Sequence, residues 1–516
     1  MLTIGRTFFV AAAVAATPLS ALSQADDAGS KAKDLDAYVA QAVKDWKAPG
    51  LAIAVVKDGK VVFEKGYGVR EVGKLAAFDT STASAIASTT KAFTAVAMGM
   101  LVDEGKVKWD DPVTKYLPAF QLSDPWVTRE LTVRDLLTHR SGLGSTDYLW
   151  AVSDLPADTM MQRLRLVKPS YSLRSSFVYQ NVMYIMAGQV IAAASGMPWD
   201  RFVQTRIFDP LGMHDTYPHA SLVPAGANAA TPHFRYGGDT VVAIRRGESR
   251  ALGPAGDVWS SVSDMSRWML FLLDSARVNG KRLLKPATYE ELFTPQVMVP
   301  PDEFYPTAEL TMPHWTTYAL GWFQQDYQGK MLDFHTGSLN GMVAIIGLVP
   351  DERFGVYVLS NLDHVEVRHA LMLKAVDLYL GNPPRDWSTE LRALYDARHA
   401  SGDSARVAAE SRRIRGTKPS LPLSKYAGVY EDPFIGRVRV TERAGKLRFE
   451  AGSTLKGDLE HWQYDRFRAR YDDRWQGTDF ITFTIGDGIP SSLEIAGFKL
   501  RRVGDAPLLH IENRVR

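Results

Sequence analysis

The alternation of apolar and polar positions predicts a helix, a hairpin and a second helix in the N-terminal part of the chain. Residues 35–46 place apolar side chains at the spacing of an amphipathic helix. Residues 51–69, LAIAVVKDGKVVFEKGYGV, contain two β-prone apolar runs around Asp58 and Gly59, a dipeptide typical of a tight hairpin turn. Residues 88–104 return to helical spacing and end before a glycine, as helices commonly do.

Helices broken by segments rich in proline, glycine and aspartate follow, and β-type runs return near residue 318. The runs YALGWFQQ, KMLDFHTG and MVAIIGLVPDERFGVYVLSN predict strands, and HVEVRHALMLKAVDLYL predicts an amphipathic helix after them. One sheet assembled from both ends of this segment, with a mainly helical domain inserted between, explains the order. We therefore predict an α/β (α+β) fold.

The C-terminal part has a different pattern. Residues 381–421 are polar and bounded by GNPPRDW and GTKPSLP, which predicts a partly helical linker. Residues 422–504 contain short alternating runs separated by glycine-containing turns. Such even spacing predicts a small antiparallel β-barrel that forms a separate domain.

The N-terminus, MLTIGRTFFVAAAVAATPLSALSQADD, combines Arg6, a short apolar stretch and small residues before Gln24. This predicts a signal peptide over residues 1–23, with an uncleaved anchor as the alternative. No later segment is long and apolar enough to cross a bilayer. We therefore expect a mature protein that is soluble in the periplasm or secreted.

The composition excludes several kinds of chemistry and one class of partner. The 516 residues include no cysteine, which excludes thiol catalysis and cysteine-ligated zinc. The 60 basic and 58 acidic residues are interspersed, with a net charge of +2, so no nucleic-acid partner is expected. No motif implies a metal or another cofactor.

The spacing Ser-x-x-Lys occurs three times, at Ser30/Lys33, Ser88/Lys91 and Ser453/Lys456. Only the middle copy follows a β-type run and opens a predicted helix, where residues three apart share a face. Unpaired N–H groups at a helix start favour negative charge, and a lysine buried there can lose enough basicity to accept a proton. Ser88 and Lys91 are therefore a candidate nucleophile and its activator, although this spacing alone is common.

The stretch FVYQNVMY supplies Tyr179 and Asn181. A tyrosine hydroxyl held against a serine can transfer a proton, and an asparagine amide can orient a substrate amide and the lysine. The alternative is an aromatic residue of the core beside a turn residue. Tyr-x-Asn occurs once in the chain.

The stretch DFHTGSLNG places His335, Thr336 and Gly337 at the end of a predicted strand. A glycine there lets a substrate approach the backbone, and the N–H of Ser338 can join the N–H of Ser88 in binding an oxyanion. A single histidine beside a glycine is otherwise typical of a surface loop.

Taken in order, these three groups resemble the serine penicillin-recognising family, which includes class C β-lactamases, DD-peptidases, D-aminopeptidases and related esterases. The stretches LLTHRSGL and GPAGDVWSSVSDMSRW resemble framework segments of its class C-like branch. The resemblance covers residues 32–378 and implies an antiparallel sheet flanked by helices, with the inserted helical domain. The barrel at 422–504 resembles a lipocalin-like domain attached to some peptidase-like members.

The resemblance also implies roles for individual residues. Ser88 becomes the acylated nucleophile, and Lys91 and Tyr179 activate it. Asn181 and His335 bind substrate or relay protons. Which of Lys91 and Tyr179 is the general base stays open.

Histidine replaces lysine in the third motif, which removes a permanent cation for a substrate carboxylate and weakens the β-lactamase interpretation. We expect an exported serine hydrolase that cleaves short or D-residue-containing peptides. The alternatives are an esterase on small acyl esters, a β-lactamase or DD-carboxypeptidase, and a catalytically silent interaction protein. The oligomeric state stays open.

Two other sites are less favoured. A triad built from His139 and Ser141 leaves Lys91 unused. A zinc site built from His139, His214 and His233 lacks the helical i, i+4 spacing of common zinc motifs.

Overall fold

The computed structural model describes residues 19–505 except positions 145, 152–154, 239, 248–249 and 453. Residues 1–18, which hold most of the predicted signal peptide, lie outside the described residues, and so does Ser453. Within the described ranges, none of the helices has the length and apolar character needed to cross a membrane.

The described strands fall into one large sheet, one barrel and three short pairs. In chain order they are β1 Gly50–Lys57, β2 Lys60–Gly68, β3 Ser84–Ala85, β4 His233–Tyr236, β5 Thr240–Ala243, β6 Trp259–Ser260, β7 Arg277–Val278, β8 Lys281–Arg282, β9 Val297–Met298, β10 Thr316–Tyr318, β11 Phe323–Tyr327, β12 Lys330–Leu339, β13 Met342–Val349, β14 Phe354–Ser360, β15 Gly428–Asp432, β16 Gly436–Arg443, β17 Lys446–Ala451, β18 Leu455–Gln463, β19 Arg466–Tyr471, β20 Thr478–Gly486, β21 Ile489–Ile495 and β22 Phe498–Gly504.

The described α-helices lie mainly between β2 and β9 and after β14. In chain order they are α1 Leu19–Asp45, α2 Lys91–Asp103, α3 Pro125–Glu130, α4 Val133–Leu136, α5 Tyr148–Ala151, α6 Ala157–Arg163, α7 Asn181–Ser195, α8 Trp199–Val203, α9 Asp209–Leu211, α10 Gly253–Gly256, α11 Val262–Leu273, α12 Pro286–Phe293, α13 Ala308–Thr311, α14 Val367–Leu380 and α15 Trp387–Ser411.

The large sheet has eight strands in the order β2-β1-β14-β13-β12-β11-β10-β9, and every neighbouring pair is antiparallel. The first hairpin turns at Asp58 and Gly59, whose φ angles of 51° and 78° are those a tight two-residue turn requires. Strands from both ends of the segment thus meet in one sheet, and most of the helices form the insertion between them. The predicted fold class is confirmed.

Both faces of the sheet are covered, because side chains alternate along each strand. Ala52 and Ala54 of β1 belong to a core shared with α2, α7 and α11. Leu51 and Ile53 belong to a second core shared with α1 and α14. The sheet is therefore the middle layer, and the insertion lies on one of its two faces.

The segment predicted as a linker, 381–421, contains the long helix α15. Its first residue, Trp387, is fully buried and donates from Nε1 to Asp377 Oδ2 over 2.6 Å. Trp46 Nε1 donates to Ser388 Oγ over 2.9 Å. The beginning of this helix is therefore packed against the hydrolase-sized part of the chain.

The C-terminal strands β15 to β22 form a closed antiparallel barrel. Its interior is filled by alternating aliphatic and aromatic side chains, among them Phe449, Phe467 and Leu493. An eight-stranded barrel of this kind is just wide enough for side chains to fill it. The predicted barrel is confirmed.

Candidate active site

Ser88 lies in a tight 3-10 turn, Ala87–Thr90, which leads directly into α2. The sequence predicts an ordinary helix here, but the 3-10 turn eclipses residues three apart and aligns Ser88 with Lys91 more closely. Lys91 Nζ lies 3.1 Å from Ser88 Oγ. Ala87 has a φ of 46°, a left-handed conformation that is uncommon for alanine and typical of functional sites.

Lys91 is completely buried. Its Nζ lies 2.8 Å from Asn181 Oδ1 and 2.8 Å from the carbonyl oxygen of Ala255. Burial lowers the pKa of Lys91 well below its ordinary value, and the carboxylate of Asp147 opposes that change. A neutral amine has two N–H donors, and the two carbonyl-type oxygens take both. Its lone pair is then left for the Ser88 hydroxyl.

Tyr179 forms a wall beside this pair, with its ring centroid 4.8 Å from Lys91 Nζ. Its hydroxyl is buried and makes no direct hydrogen bond within the described residues. Burial raises the pKa of Tyr179 well above its ordinary value, and the nearby Ser88 opposes this. At neutral pH Tyr179 is therefore a phenol with a proton to give.

Asn181 is the first residue of α7, and its amide is held at both ends. Oδ1 accepts from Lys91, and Nδ2 donates to Asp147 Oδ1 over 3.3 Å. Trp150 Nε1 donates to the same Asp147 oxygen over 2.8 Å. Because a carboxylate only accepts hydrogen bonds, Asp147 fixes which end of the Asn181 amide faces Lys91.

The third motif reaches the nucleophile along β12. The pairing of β11 with β12 ends at Phe334, so the following residues of β12 have a free edge on that side. A Cβ on Gly337 would lie 2.2 Å from the Ile86 carbonyl oxygen and 2.9 Å from Ser88 N. Only glycine permits this approach, which brings the backbone around Ser338 next to that of Ser88.

Thr336 is buried, and its hydroxyl lies 2.7 Å from the hydroxyl of Tyr305. Tyr305 is in the loop between β9 and α13, and it raises the pKa of Tyr179 further. This loop therefore supplies a second aromatic side chain close to the candidate tyrosine.

His335 is at the end of a buried hydrogen-bond chain. The N–H of Gln180 donates to His139 Nδ1 over 2.9 Å, and His139 Nε2 lies 3.3 Å from the Tyr318 hydroxyl. The same hydroxyl lies 3.1 Å from His335 Nε2, and His335 Nδ1 lies 2.6 Å from the Thr336 carbonyl oxygen. The groups at the two ends of this chain fix the direction of every hydrogen bond in it, since a backbone N–H only donates and a carbonyl oxygen only accepts.

The two histidine rings and the tyrosine hydroxyl of this hydrogen-bond chain therefore each carry one proton at a defined position. His139 is protonated on Nε2 and donates to Tyr318, which in turn donates to His335 Nε2. Burial lowers the pKa of His139 well below its ordinary value and that of His335 to about 3, so both rings are neutral at physiological pH. Neither nitrogen of His335 is left to meet a substrate in this arrangement.

The disfavoured sites are not assembled. Ser141 Oγ lies 3.5 Å from Gln180 Oε1, while His139 bonds to Gln180 N and Tyr318. The ring nitrogens of His233 are taken by Val72 N and by a backbone carbonyl. No group of three His, Asp or Glu side chains in the described ranges is arranged to hold a metal ion.

Sequence reasoning missed Asp147, Tyr305 and Tyr318. Tyr318 was visible only as a strand residue of YALGW, and Asp147 lies in an irregular segment without a local pattern. All three act on motif residues that are distant in sequence, so no spacing rule points to them.

Family comparison agrees with this geometry. Residues 35–380, more than half of the chain, match the family model described as Beta-lactamase. The chain belongs to the β-lactamase family. Residues 412–505, which include the barrel, match a model described as Domain of unknown function (DUF3471). The chain is thus a member of the β-lactamase-fold serine hydrolase family with an appended barrel.

Relatives of this β-lactamase family member include two fungal proteins. Unguisins hydrolase ungD of Aspergillus violaceofuscus is 29% identical, covering 84% of this chain and 82% of its own length. Unguisins hydrolase ungD' of Aspergillus campestris is 28% identical, covering 96% and 89%. Protein flp of Staphylococcus aureus is 26% identical, covering 64% and 63%.

Solved structures show the same fold. The octameric penicillin-binding protein homologue from Pyrococcus abyssi has a TM-score of 0.60 at 23% identity, covering 91% of this chain and 99% of that chain. The crystal structure of SurE has a TM-score of 0.56 at 20% identity, covering 92% and 100%. SurE has also been solved with D-Leu, with a TM-score of 0.54 at 19% identity, covering 92% and 100%.

Proposed function

We propose that this protein cleaves amide bonds of short or D-residue-containing peptides through an acyl-enzyme on Ser88. One observation carries the proposal. The buried Lys91 Nζ lies 3.1 Å from Ser88 Oγ and 2.8 Å from one oxygen each of Asn181 and Ala255, so in the neutral amine the two N–H groups meet these oxygens and the lone pair is directed at the Ser88 hydroxyl. Nucleophilic catalysis by a serine needs a base within hydrogen-bond distance of its hydroxyl, and Lys91 meets this requirement.

Lys91 and Tyr179, whose pKa values are both shifted by burial, carry out different proton transfers. Lys91, with a lowered pKa, accepts the Ser88 proton as Oγ attacks the substrate carbonyl. Tyr179, with a raised pKa, gives its proton to the leaving nitrogen and regains one from the Lys91 ammonium. Water then releases the acyl group, which regenerates Ser88. The general base is accordingly Lys91, and Tyr179 is the general acid.

The backbone around Gly337 supports oxyanion binding. The close approach of β12 to the Ser88 turn puts the N–H groups of Ser88 and Ser338 on neighbouring backbone segments. Two N–H donors aimed at one oxygen stabilise the charge that develops on a tetrahedral intermediate. Asn181 orients Lys91, while His335 acts indirectly by holding Tyr318 and the strand that carries Thr336.

Two lines of evidence support the preference for peptides, the charge state of His335 and the names of similar proteins. Neutral His335 supplies no cation for the carboxylate that a β-lactam or a DD-carboxypeptidase substrate carries near its reactive bond. The fungal relatives are named unguisins hydrolases, and the structural neighbour SurE was solved with D-Leu. We extend the D-residue preference to this chain on that basis.

Export belongs to the same proposal. The basic, apolar and small-residue regions of residues 1–23 support a cleaved signal peptide and a periplasmic or secreted enzyme. Amino-terminal sequencing of the protein purified from its native host tests this. We expect the mature chain to begin at Gln24, and a chain that retains Met1 or Leu2 would contradict export with cleavage.

The nucleophile is tested with a fluorophosphonate probe and intact-mass spectrometry. We expect one adduct on the wild type and none on Ser88→Ala, with Ser30→Ala as the control that shares the Ser-x-x-Lys spacing. Absence of the adduct on the wild type would favour a catalytically silent interaction protein.

The substrate class is tested by comparing kcat/KM for L- and D-aminoacyl amides, short acyl esters and a cephalosporin. Amides bearing a D-residue should be cleaved by the wild type and not by Ser88→Ala. A preference for simple esters by about a thousandfold or more, beyond the ordinary difference in reactivity, would support the esterase alternative instead.

A further inference from the structure

Asp147 places a carboxylate beside the reacting groups without an ion-pair partner among the described residues. Its Oδ1 accepts from Asn181 and Trp150, whereas Oδ2 has no hydrogen bond in the described part of the chain. The side chain is half-buried. Its charge acts on both Lys91 and Tyr179, which shows that it lies close to the proposed base and acid.

Two basic side chains near the third motif, Arg368 and His335, are paired or neutral. Arg368 donates to the Gly337 carbonyl and to Ser338 Oγ, but it is buried and makes a bidentate pair with Glu366. His335 is neutral, and burial lowers the pKa of Lys91 well below its ordinary value. Two carboxyl groups beside the motifs, those of Asp147 and Glu303, have no ion pair among the described residues. Of these two, Asp147 acts on both Lys91 and Tyr179.

Such a site discriminates between substrates by charge. In a partly desolvated cleft, a carboxylate attracts a cation and repels another carboxylate more strongly than it would in water. Asp147 accepts from Nδ2 of Asn181, whose Oδ1 accepts from Lys91, so a single side chain separates this carboxylate from the amine beside Ser88. In an amino-terminal residue the α-ammonium group is attached to the carbon next to the reacting carbonyl, so it is the substrate cation that comes nearest to Ser88.

We propose that Asp147 forms a subsite for a positively charged group on the acyl side of the substrate, namely the α-ammonium group of an amino-terminal residue. This inference rests on the proposed acyl-enzyme function of Ser88 and narrows its substrates to peptides with a free amino terminus. Asp147 is a specificity-determining residue, and it also positions Asn181.

The test compares the benzyl esters of alanine and N-acetylalanine, in both configurations, by chromatographic release of benzyl alcohol. Esters are used because amidases and esterases both cleave them, so the result does not depend on which class the enzyme prefers. At pH 6.5, below the ordinary pKa of an α-amino group, the free amine carries its charge and the acetylated amine does not.

We expect the wild type to favour the free amine by about tenfold or more in kcat/KM, and Asp147→Asn to abolish that preference, mainly through KM. The asparagine keeps an acceptor oxygen for Asn181 and Trp150. Because Asp147 also positions Asn181 and its charge acts on Lys91, the rates with both esters are expected to change. The readout is therefore the ratio of kcat/KM for the free amine to kcat/KM for the acetylated ester, which should fall to about one.

Glu303 provides the matched control, because its carboxyl group lies next to the backbone N–H of Tyr179. Glu303→Gln should retain the preference for the free amine. If the preference disappears in Glu303→Gln but persists in Asp147→Asn, the subsite is not at Asp147. An equal loss of both esters in Asp147→Asn would show a purely structural role and overturn the inference.

Failure of the underlying function gives a different result. If the wild type neither forms the fluorophosphonate adduct nor releases benzyl alcohol from any ester, the proposed function fails and the inference fails with it. Normal labelling and normal turnover without charge preference overturn the inference alone.

Discussion

The hydrolase unit and the C-terminal barrel bury polar groups in different ways. In the hydrolase unit Lys91, His139 and His335 are fully buried, and their partners come from elements far apart in sequence. In the barrel the interior is apolar, and the hydroxyl of a buried tyrosine has an ordinary hydrogen-bond partner, as Tyr426 has in Asp465. One unit contains buried titratable groups at its centre, and the other is a regularly packed core.

This difference indicates where the chemistry lies. Burial of an ionisable group costs free energy, so groups with strongly perturbed pKa values cluster where they serve a reaction. The barrel has ordinary alternation, and it contacts the hydrolase unit around α5 and α6. Phe498 meets Tyr148 at 4.9 Å between ring centroids, and Arg163 donates to the Phe434 carbonyl over 2.7 Å. We expect the barrel to affect substrate binding more than bond cleavage.

The largest effect should follow from Lys91→Met, which keeps the side chain's bulk and removes the base. We expect kcat/KM for p-nitrophenyl acetate to fall by about a thousandfold or more. In the wild type, protonation of Lys91 removes the base, so kcat/KM should fall as the pH drops through its pKa. Because burial lowers that pKa, this limb should lie well below 10.5.

Lys33→Met is the control for this prediction, since Lys33 has the same spacing from a serine but is exposed on α1. It should leave kcat/KM unchanged. A Lys91→Met enzyme within tenfold of the wild type would show that the buried lysine is not the base, and it would weaken the contrast between the two units.

The secondary structure and the short motifs of the site were predictable from the sequence. Continuous apolar runs indicated the large sheet, whose central strands are buried on both faces, and alternating positions indicated the barrel, whose strands bury one face. Ser88, Lys91, Tyr179 and Asn181 were found because each pair lies within one helical turn or at one helix start. The structure brings these four residues together, as the resemblance implied.

The other features of the site and the fold depend on tertiary contacts and were not predictable from local sequence. His139, Tyr318 and His335 lie in three separate segments, and their proton assignment follows only from neighbours at both ends of the chain. Gly337 approaches the 3-10 turn at Ser88 closely, and no local propensity encodes this contact. The start of α15 packs closely through the buried Trp387, although the composition of residues 381–421 indicated a polar, partly helical linker.

An intermediate effect should follow from Tyr318→Phe, which removes the hydroxyl shared by His139 and His335. One ring N–H and one ring nitrogen lose their partner, which should lower stability by about 1–3 kcal/mol and kcat by about ten- to a hundredfold. KM should change little, because Tyr318 holds the motifs in place without touching the substrate.

Tyr327→Phe is the matched control, since Tyr327 donates to Asp377 over 2.7 Å in the second core. Thermal unfolding and steady-state kinetics of both variants separate structure from catalysis. Both should lose stability, but only Tyr318→Phe should lose kcat. Equal kcat in the two variants would show that the hydrogen-bond chain is ordinary core structure.

The smallest effect should follow from Phe498→Ala, which removes the barrel ring that packs on Tyr148 and stacks on Phe434. Tyr148 follows Asp147 directly, so loosening α5 should raise KM for a peptide substrate by about two- to fivefold. The reacting groups are untouched, and kcat should stay the same. Steady-state kinetics with D-aminoacyl amides measure both constants.

Phe480→Ala controls for damage to the barrel itself, because Phe480 packs on Trp462, another residue of the barrel. It should leave both constants unchanged. If Phe498→Ala lowers kcat as much as Tyr318→Phe does, the barrel takes part in positioning the reacting groups. The division into a catalytic unit with buried polar groups and a barrel that tunes binding would then be wrong, because contacts at the barrel surface would matter as much as the buried hydrogen-bond chain.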